Sequence, residues 1–187
     1  MSQIATELDL SDTIKAAKNL LGHKLMYESP EGLTSGYIVE TEAYCTSDRA
    51  SHSYKGKTLS NAPMFEEAGT VYVYFTYGMH HCMNIVTNKE GKGEAVLIRA
   101  LEPIEGIDLM EKRRNKKVNL TNGPAKVAQS MGINKSINGT SIFKGPIRIE
   151  NGIKPEVIVE AKRIGISQNK DEFWRFYIKD NKYVSKI

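Results

Sequence analysis

The sequence predicts an α+β fold, and three kinds of observation carry that expectation. Period-two alternation marks extended segments, above all Thr70–Phe75. Capping residues and prolines mark helix starts between them. Turn residues such as Gly78 and Asn151-Gly152 separate the extended runs. With 40% hydrophobic and 26% charged residues the chain is globular in composition, neither disordered nor membrane-spanning. At 187 residues it can bury roughly 70% of the surface its unfolded form exposes, so a core needs neither disulfides nor a structural metal. No repeat, low-complexity tract or linker-like stretch divides it, and residues 1–187 read as a single domain.

Along the chain, Asp12 is placed to cap a helix that carries Ile14, Ala17 and Leu21 on one face and ends at Gly22. Gly36–Thr41 then alternates Tyr37, Val39 and Thr41 against Ile38 and Glu40, a strand whose continuation puts Glu40 and Glu42 on one face. In Thr70–Phe75, Val71, Val73 and Phe75 point one way and Tyr72 and Tyr74 the other. Tyr77-Gly78-Met79 interrupts this run before His81–Val86 resumes it, which is the pattern of a hairpin with Gly78 near its tip. Glu94–Leu101 is a further strand. Pro103 and Pro124 each suit the first turn of a helix, where no amide donor is needed. Ile147–Glu150 and Val157–Glu160 are expected as strands flanking an Asn151-Gly152 turn.

The formal net charge of +4 hides an asymmetry. Residues 1–50, 51–110 and 111–187 carry −4, −2 and +10. Glu111–Ser136 alone holds Lys112, Arg113, Arg114, Lys116, Lys117, Lys126 and Lys135 against one acid, Glu111. Such a run is ordinarily a solvated surface. Its functional reading is a footprint for a polyanion. Cys45 and Cys82 form no Cys-x-x-Cys motif and read as reduced thiols. No apolar run nears the roughly 20 residues a bilayer requires. The first dozen residues include Glu7, Asp9 and Asp12 and show no secretory pattern.

Several residues could carry chemistry, each with a plainer reading beside it. Glu42 follows an apolar strand and precedes Tyr44 by two residues; a partly desolvated carboxylate there is a better base than one in water. Spacing alone favours a polar strand edge. His52, and the neighbours His80 and His81, lack metal-ligand spacing, so no metal site is expected. No Gly-x-Ser-x-Gly elbow accompanies His52. Tyr72 reads as a packing group. Tyr77, beside the hairpin glycine, is costly to leave in water unless something else buries it, and minor-groove proteins use such wedges to unstack bases. Asn122-Gly123-Pro124-Ala125-Lys126 reads as a cap, a close-approach glycine and a helix start; its free amides suit a phosphate, though an ordinary helix N-terminus fits equally well.

Taken together, the ordered blocks are recognisable. Ile38–Tyr44, Ser51-His52-Ser53, Met64-Phe65, Gly69–Tyr74, Tyr77-Gly78-Met79 and Cys82–Ile85 resemble the alkyladenine (3-methyladenine, methylpurine) DNA glycosylase family. So do Val96–Pro103, Gly123–Lys126, Ile133–Ser136, Arg163-Ile164-Gly165 and Arg175-Phe176-Tyr177. The chain departs from the pattern at His80 and over Ser53–Pro63. The resemblance implies one compact domain: a mixed, mainly antiparallel curved sheet with surrounding helices and a protruding β-hairpin. It implies a water-activating carboxylate at Glu42, helped by Arg99 and the Ile164 carbonyl. Tyr44 would stack on one face of an extruded base, with His52 and Tyr74 on the other. Asn84 would disfavour normal guanine, Tyr77 with Met79 would fill the gap left in the duplex, and Gly123 with Lys126 would hold phosphate. Double-stranded DNA containing damaged purines is the implied partner, with no cofactor, no membrane and a monomeric chain. The implied location is the cytoplasm beside the nucleoid in a bacterium, or the nucleus in a eukaryote.

The implied reaction is removal of 3-methyladenine, 7-methylguanine, hypoxanthine or ethenoadenine by hydrolysis, leaving an abasic site. No lysine stands at the matched catalytic position, so strand cleavage is not expected. The alternatives are a lesion-binding module without catalysis, and a metal-dependent hydrolase built on His52, His80 or His81.

Overall fold

The computed structural model describes residues 8–76 and 78–185. In chain order these form α1 (Thr13–Asn19), β1 (Lys24–Ser29), β2 (Gly32–Tyr44), a 3-10 turn (Ala62–Phe65), β3 (Val71–Thr76) and β4 (His80–Thr87). Then follow β5 (Glu94–Glu105), α2 (Ile107–Arg114), α3 (Pro124–Met131), β6 (Ile147–Glu150), β7 (Ile158–Ala161) and β8 (Arg175–Ile178). The strands make one curled sheet in the order β3-β4-β5-β2-β1-β6, with β8 joined to β2 and β7 to β8. Among the described residues every strand pairing is antiparallel. The α+β expectation holds.

Strand β2 organises the site because it changes partner along its length. Its first half pairs with β1, while Glu40–Glu42 pairs with β8. The register with β5 shifts at Ile38/Glu40 and again at Glu40/Thr41. Bulges of this kind bend a strand and re-aim its side chains. Flanked by β5 on one side and β8 on the other, Glu40, Thr41 and Glu42 are all wholly buried. The polar strand edge that spacing alone suggests for Glu42 is therefore not what the chain builds.

The hairpin of β3 and β4 shows how period two divides core from site. Val71, Val73, Met83 and Ile85 join the main core with Ala16, Ala17, Leu25, Ile38, Met131 and Phe176. On the opposite face Tyr72 packs with Met64, Val86 and Ala95, and Tyr74 lies against that cluster. Thr76 pairs with His80, Gly78 and Met79 lie in a turn between these strands, and Gly78 has φ +67°. Phe75 does not follow Val71 and Val73 inward; it is exposed, and its ring lies tilted against that of His81 with centroids 4.9 Å apart. Beyond the sheet proper the hairpin has left the core that would cover it.

Three expectations need correction. Pro103 does not open a helix: it lies within β5, opposite Gly36, and α2 starts only at Ile107. Strand β4 stops pairing with β5 at Leu97, and the β2 ladder is irregular beside Gly36, so a residue without an N–H breaks nothing essential. Asn151-Gly152 is not a hairpin turn, because β6 pairs with β1 and β7 with β8. The chain instead runs past Gly22, where Ile153 N–H donates to the Gly22 carbonyl at 2.8 Å. Gly22 has φ +83°, and a Cβ there would sit 2.1 Å from the Ile153 oxygen, so this crossing requires glycine. Helix α1 is capped by Asp12, whose carboxylate accepts from Lys15 N–H at 2.8 Å, but it ends at Asn19, before Gly22. Its buried face is Thr13, Ala16 and Ala17, with Ile14 only half-buried.

Candidate active site

Glu42 sits near the end of β2 with no surface exposed. Three donors meet its carboxylate. The Ile164 N–H donates to Oε1 at 2.8 Å, the Tyr44 hydroxyl donates to Oε2 at 2.9 Å, and Arg99 Nη1 lies 3.2 Å from Oε2. Burial pushes the Glu42 pKa above its ordinary value, against the lowering influence of Arg99, Ile164 and Tyr44; the nearby Glu40 adds to the rise. Tyr44 is displaced upward too, by burial and by the Glu42 charge, so its phenol keeps the proton it donates.

A second layer fixes Arg99. Its Nε donates to Glu40 Oε1 at 3.0 Å, and Glu40 in turn accepts from Ser185 N–H at 2.7 Å and Ser185 Oγ at 2.8 Å. Arg175 Nε approaches Glu40 Oε1 at 3.6 Å. Burial works against the Arg99 charge, but Glu42 and Glu40 outweigh it and hold the guanidinium protonated. The expectation that Glu40 and Glu42 act from one face is met in a specific way: one guanidinium bridges both.

In front of this assembly is a cavity of about 330 Å³, within the roughly 300–1,000 Å³ range typical of small-molecule sites. Tyr44, His52, Tyr74, Asn84, Arg99 and Ile164 all line it, so six of the residues singled out from sequence converge on one space. Glu42 lies directly behind the wall formed by Tyr44, Arg99 and Ile164, each of which touches it. The His52 and Tyr74 rings meet edge-on at 4.4 Å, and Tyr72 and Tyr74 lie 5.7 Å apart. Burial lowers the His52 pKa, leaving a neutral imidazole whose Nδ1 hydrogen-bonds the Tyr72 hydroxyl at 2.9 Å. The Tyr72 phenol is pushed up to about 12 by burial. Asn84 donates from Nδ2 to the Tyr72 carbonyl at 3.1 Å, which pins its amide at the cavity wall.

At the mouth, Pro124 brings the start of α3 to the cavity. Gly123, not Asn122, occupies the cap position, and no side chain caps the first amides. The side-chain oxygen of Asn122 instead accepts from Lys126 Nζ at 2.9 Å. Lys126 has a lowered pKa, from burial first and then from Arg114 and Lys116, which places three cations near one another. An adjoining cavity of about 470 Å³ shares His52, Tyr72 and Tyr74 and is bordered by Lys55 and Lys135. Met79 is exposed near the hairpin turn, apart from the cavity lining. Tyr77 lies outside the described residues. Among the described residues no three His, Cys, Asp or Glu side chains gather as a metal-holding group.

Sequence reasoning missed Ser185, Asp48 and Arg163 as parts of the site, and treated Tyr72 as packing alone. The partners of Glu40 and Asp48 are 145 and 115 positions away along the chain, beyond any local pattern. Arg163 did stand inside a recognised block, next to Ile164. For Ile164 the structure adds a contact that the resemblance did not name: its amide N–H meets Glu42, beside the carbonyl expected to help place the water.

Comparison with known proteins identifies the family of the chain. A family model described as methylpurine-DNA glycosylase matches residues 7–182. A protein of Francisella tularensis provisionally named 3-methyladenine DNA glycosylase is 50% identical over 181 residues, covering 93% of this chain and 94% of its own. Proteins with the same provisional name from Methanoculleus marisnigri and Carboxydothermus hydrogenoformans are 47% identical over 182 residues and 49% over 180, each match covering 94% of both chains. The match spans nearly the whole chain and includes every element that builds the cavity, and the chain belongs to the methylpurine-DNA glycosylase family.

Proposed function

We propose that the chain is a DNA-repair glycosylase that takes an alkylated or deaminated purine, turned out of the duplex, into the cavity and hydrolyses its N-glycosidic bond. The observation that carries this reading is the buried Glu42 carboxylate directly behind an aromatic cavity of nucleobase-compatible size.

The roles follow from the geometry. A carboxylate offers about four lone-pair sites. Three donors approach Glu42, which leaves capacity to accept a proton from water. Ionised, it also opposes the positive charge that develops on the sugar as the bond breaks. The donors do not only orient it; each favours the ionised form that burial disfavours. Tyr72, Tyr74 and neutral His52 present ring surface without cationic charge to the base, which suits a purine made cationic by alkylation. Asn84, pinned through Tyr72, narrows the space available to an exocyclic amino group. The start of α3 with Lys126, and the basic residues after α2, offer the phosphate contacts. Tyr77 and the exposed Met79 are the residues proposed to fill the vacated stack.

Water activated by Glu42 is the proposed attacking group and an abasic site in an uncut strand the proposed product, a reading supported by a cavity lining that holds no lysine among the described residues. The test is base release from duplexes containing hypoxanthine, ethenoadenine or 7-methylguanine at one position, with chelator present. Free base should appear while the strand stays intact until alkali is added. Tight binding without release from any duplex would replace this reading with the non-catalytic one. Cleavage before alkali would contradict the water mechanism.

A further inference from the structure

One buried ion pair beside the cavity has no part in the mechanism above. Asp48 and Arg163 both have wholly buried side chains. The guanidinium makes a two-pronged contact: Nη1 donates to Asp48 Oδ2, and Nη2 donates to Oδ1 at 3.1 Å. Nη1 also donates to the Ala43 carbonyl at 3.1 Å, and Nη2 to the Asn169 carbonyl at 3.3 Å. Its central carbon lies over two rings, 4.8 Å from the centroid of Tyr44 and 5.1 Å from that of Trp174.

These contacts tie together different walls of the cavity. Ala43 and Tyr44 belong to β2, which carries Glu42. Asp48 holds the segment leading to His52, since Oδ1 accepts from Ala50 N–H at 2.9 Å and its carbonyl accepts from Ser51 N–H at 2.9 Å. Arg163 itself precedes Ile164, whose N–H meets Glu42, and the Ile164–Ile166 wall follows. A hydrogen bond of 2.8 Å from a loop amide depends on where that loop is anchored, and Arg163 is the adjacent anchor.

We infer that Asp48–Arg163 is a positioning pair that holds the ring of Tyr44, the His52 segment and the Glu42-binding amide of Ile164 in one rigid frame. For its catalytic meaning this rests on the glycosylase reading. The pair need not touch substrate, because Arg163 is absent from the cavity lining and lies behind Tyr44. Arginine suits the task because its planar fork reaches two carboxylate oxygens and two carbonyls while its charge lies close to two aromatic rings. Lysine keeps the charge but cannot make that set of contacts.

The test is Arg163→Lys, read in two ways. The first is the titration of Glu42 in the free protein, followed by NMR of carboxyl-labelled glutamate and assigned with Glu42→Gln. The Ile164 N–H lowers the Glu42 pKa, so loosening it moves the titration to higher pH. The second is single-turnover base release, expected to fall between roughly tenfold and a hundredfold, with its acid limb moved in the same direction. A role in folding alone would lower the melting temperature and leave both titrations in place. If Arg163→Lys does not fold, the double variant Asp48→Asn with Arg163→Gln removes both buried charges and is read the same way. An unmoved Glu42 titration overturns the inference, as does a moved titration with an unchanged rate. If the wild-type chain releases no base but the variant still moves Glu42, the frame stands and the glycosylase reading fails.

Discussion

Replacing Arg99 by methionine removes the cation shared by two wholly buried carboxylates while keeping the side chain long and apolar. In the unaltered chain the guanidinium reaches Glu40 from Nε at 3.0 Å and Glu42 from Nη1 at 3.2 Å, and a thioether can do neither. Glu40 keeps Ser185 and the neighbouring Arg175, whereas Glu42 keeps only the Ile164 and Tyr44 donors. Removing one partner of a buried pair costs about 3–5 kcal/mol because the other charge is stranded. At about 2–4 °C per kcal/mol for a chain of this length, the melting midpoint falls by about 6–20 °C. Glu42 then gives the loss a pH dependence. Its folded pKa lies above the reference of 4.5, so its favourable contribution is complete below the unfolded value and is lost as pH rises through the folded one. Arg99 is the strongest influence opposing that rise. Without it the folded pKa climbs further, and the deficit is widest near neutral pH and narrows toward acid. Calorimetry of both chains across this range is the assay. A deficit that is constant with pH, or that grows toward acid, refutes the assignment of Arg99 as the group stabilising ionised Glu42.

Three other substitutions separate the roles of neighbouring groups. Tyr44→Phe keeps the ring but removes the 2.9 Å hydrogen bond to Glu42; binding of a lesion duplex should be unchanged while the acid limb of base release moves to higher pH, and weakened binding with an unmoved limb would count against this. Lys126→Ala should weaken binding to all sequences and reduce the slope of log K against log salt by about 0.9; an unchanged slope removes Lys126 from the interface. Tyr77→Ala should weaken retention of the extruded nucleotide, seen as a slower approach to the flipped state with a fluorescent base at the lesion; unaltered kinetics would exclude it as the wedge.

What could be read from sequence was what depends on neighbours along the chain. The alternation in β3 placed Tyr72 and Tyr74 on one face and Val71 and Val73 on the other, and the structure uses that division to separate site from core. Asp12 and Pro124 marked real helix starts because capping chemistry is local. Pro103 misled because a proline also fits a strand where pairing is interrupted, and that interruption depends on where β4 ends. Asn151-Gly152 misled for a similar reason: its chain neighbours pair with β1 and β8, not with each other. The candidate catalytic carboxylate was recognisable only through the resemblance. Its burial comes from β8 closing over Glu40–Glu42, and its setting from Ser185, Ile164 and Arg163, all remote in sequence.

The most direct test compares Glu42→Gln with the unaltered chain in single-turnover release of a damaged purine, alongside binding to the same duplex. Loss of a general base slows such steps by roughly a hundredfold or more, so the variant should bind the lesion and release base at least that much more slowly. Release at the unaltered rate would contradict the central role given to this carboxylate.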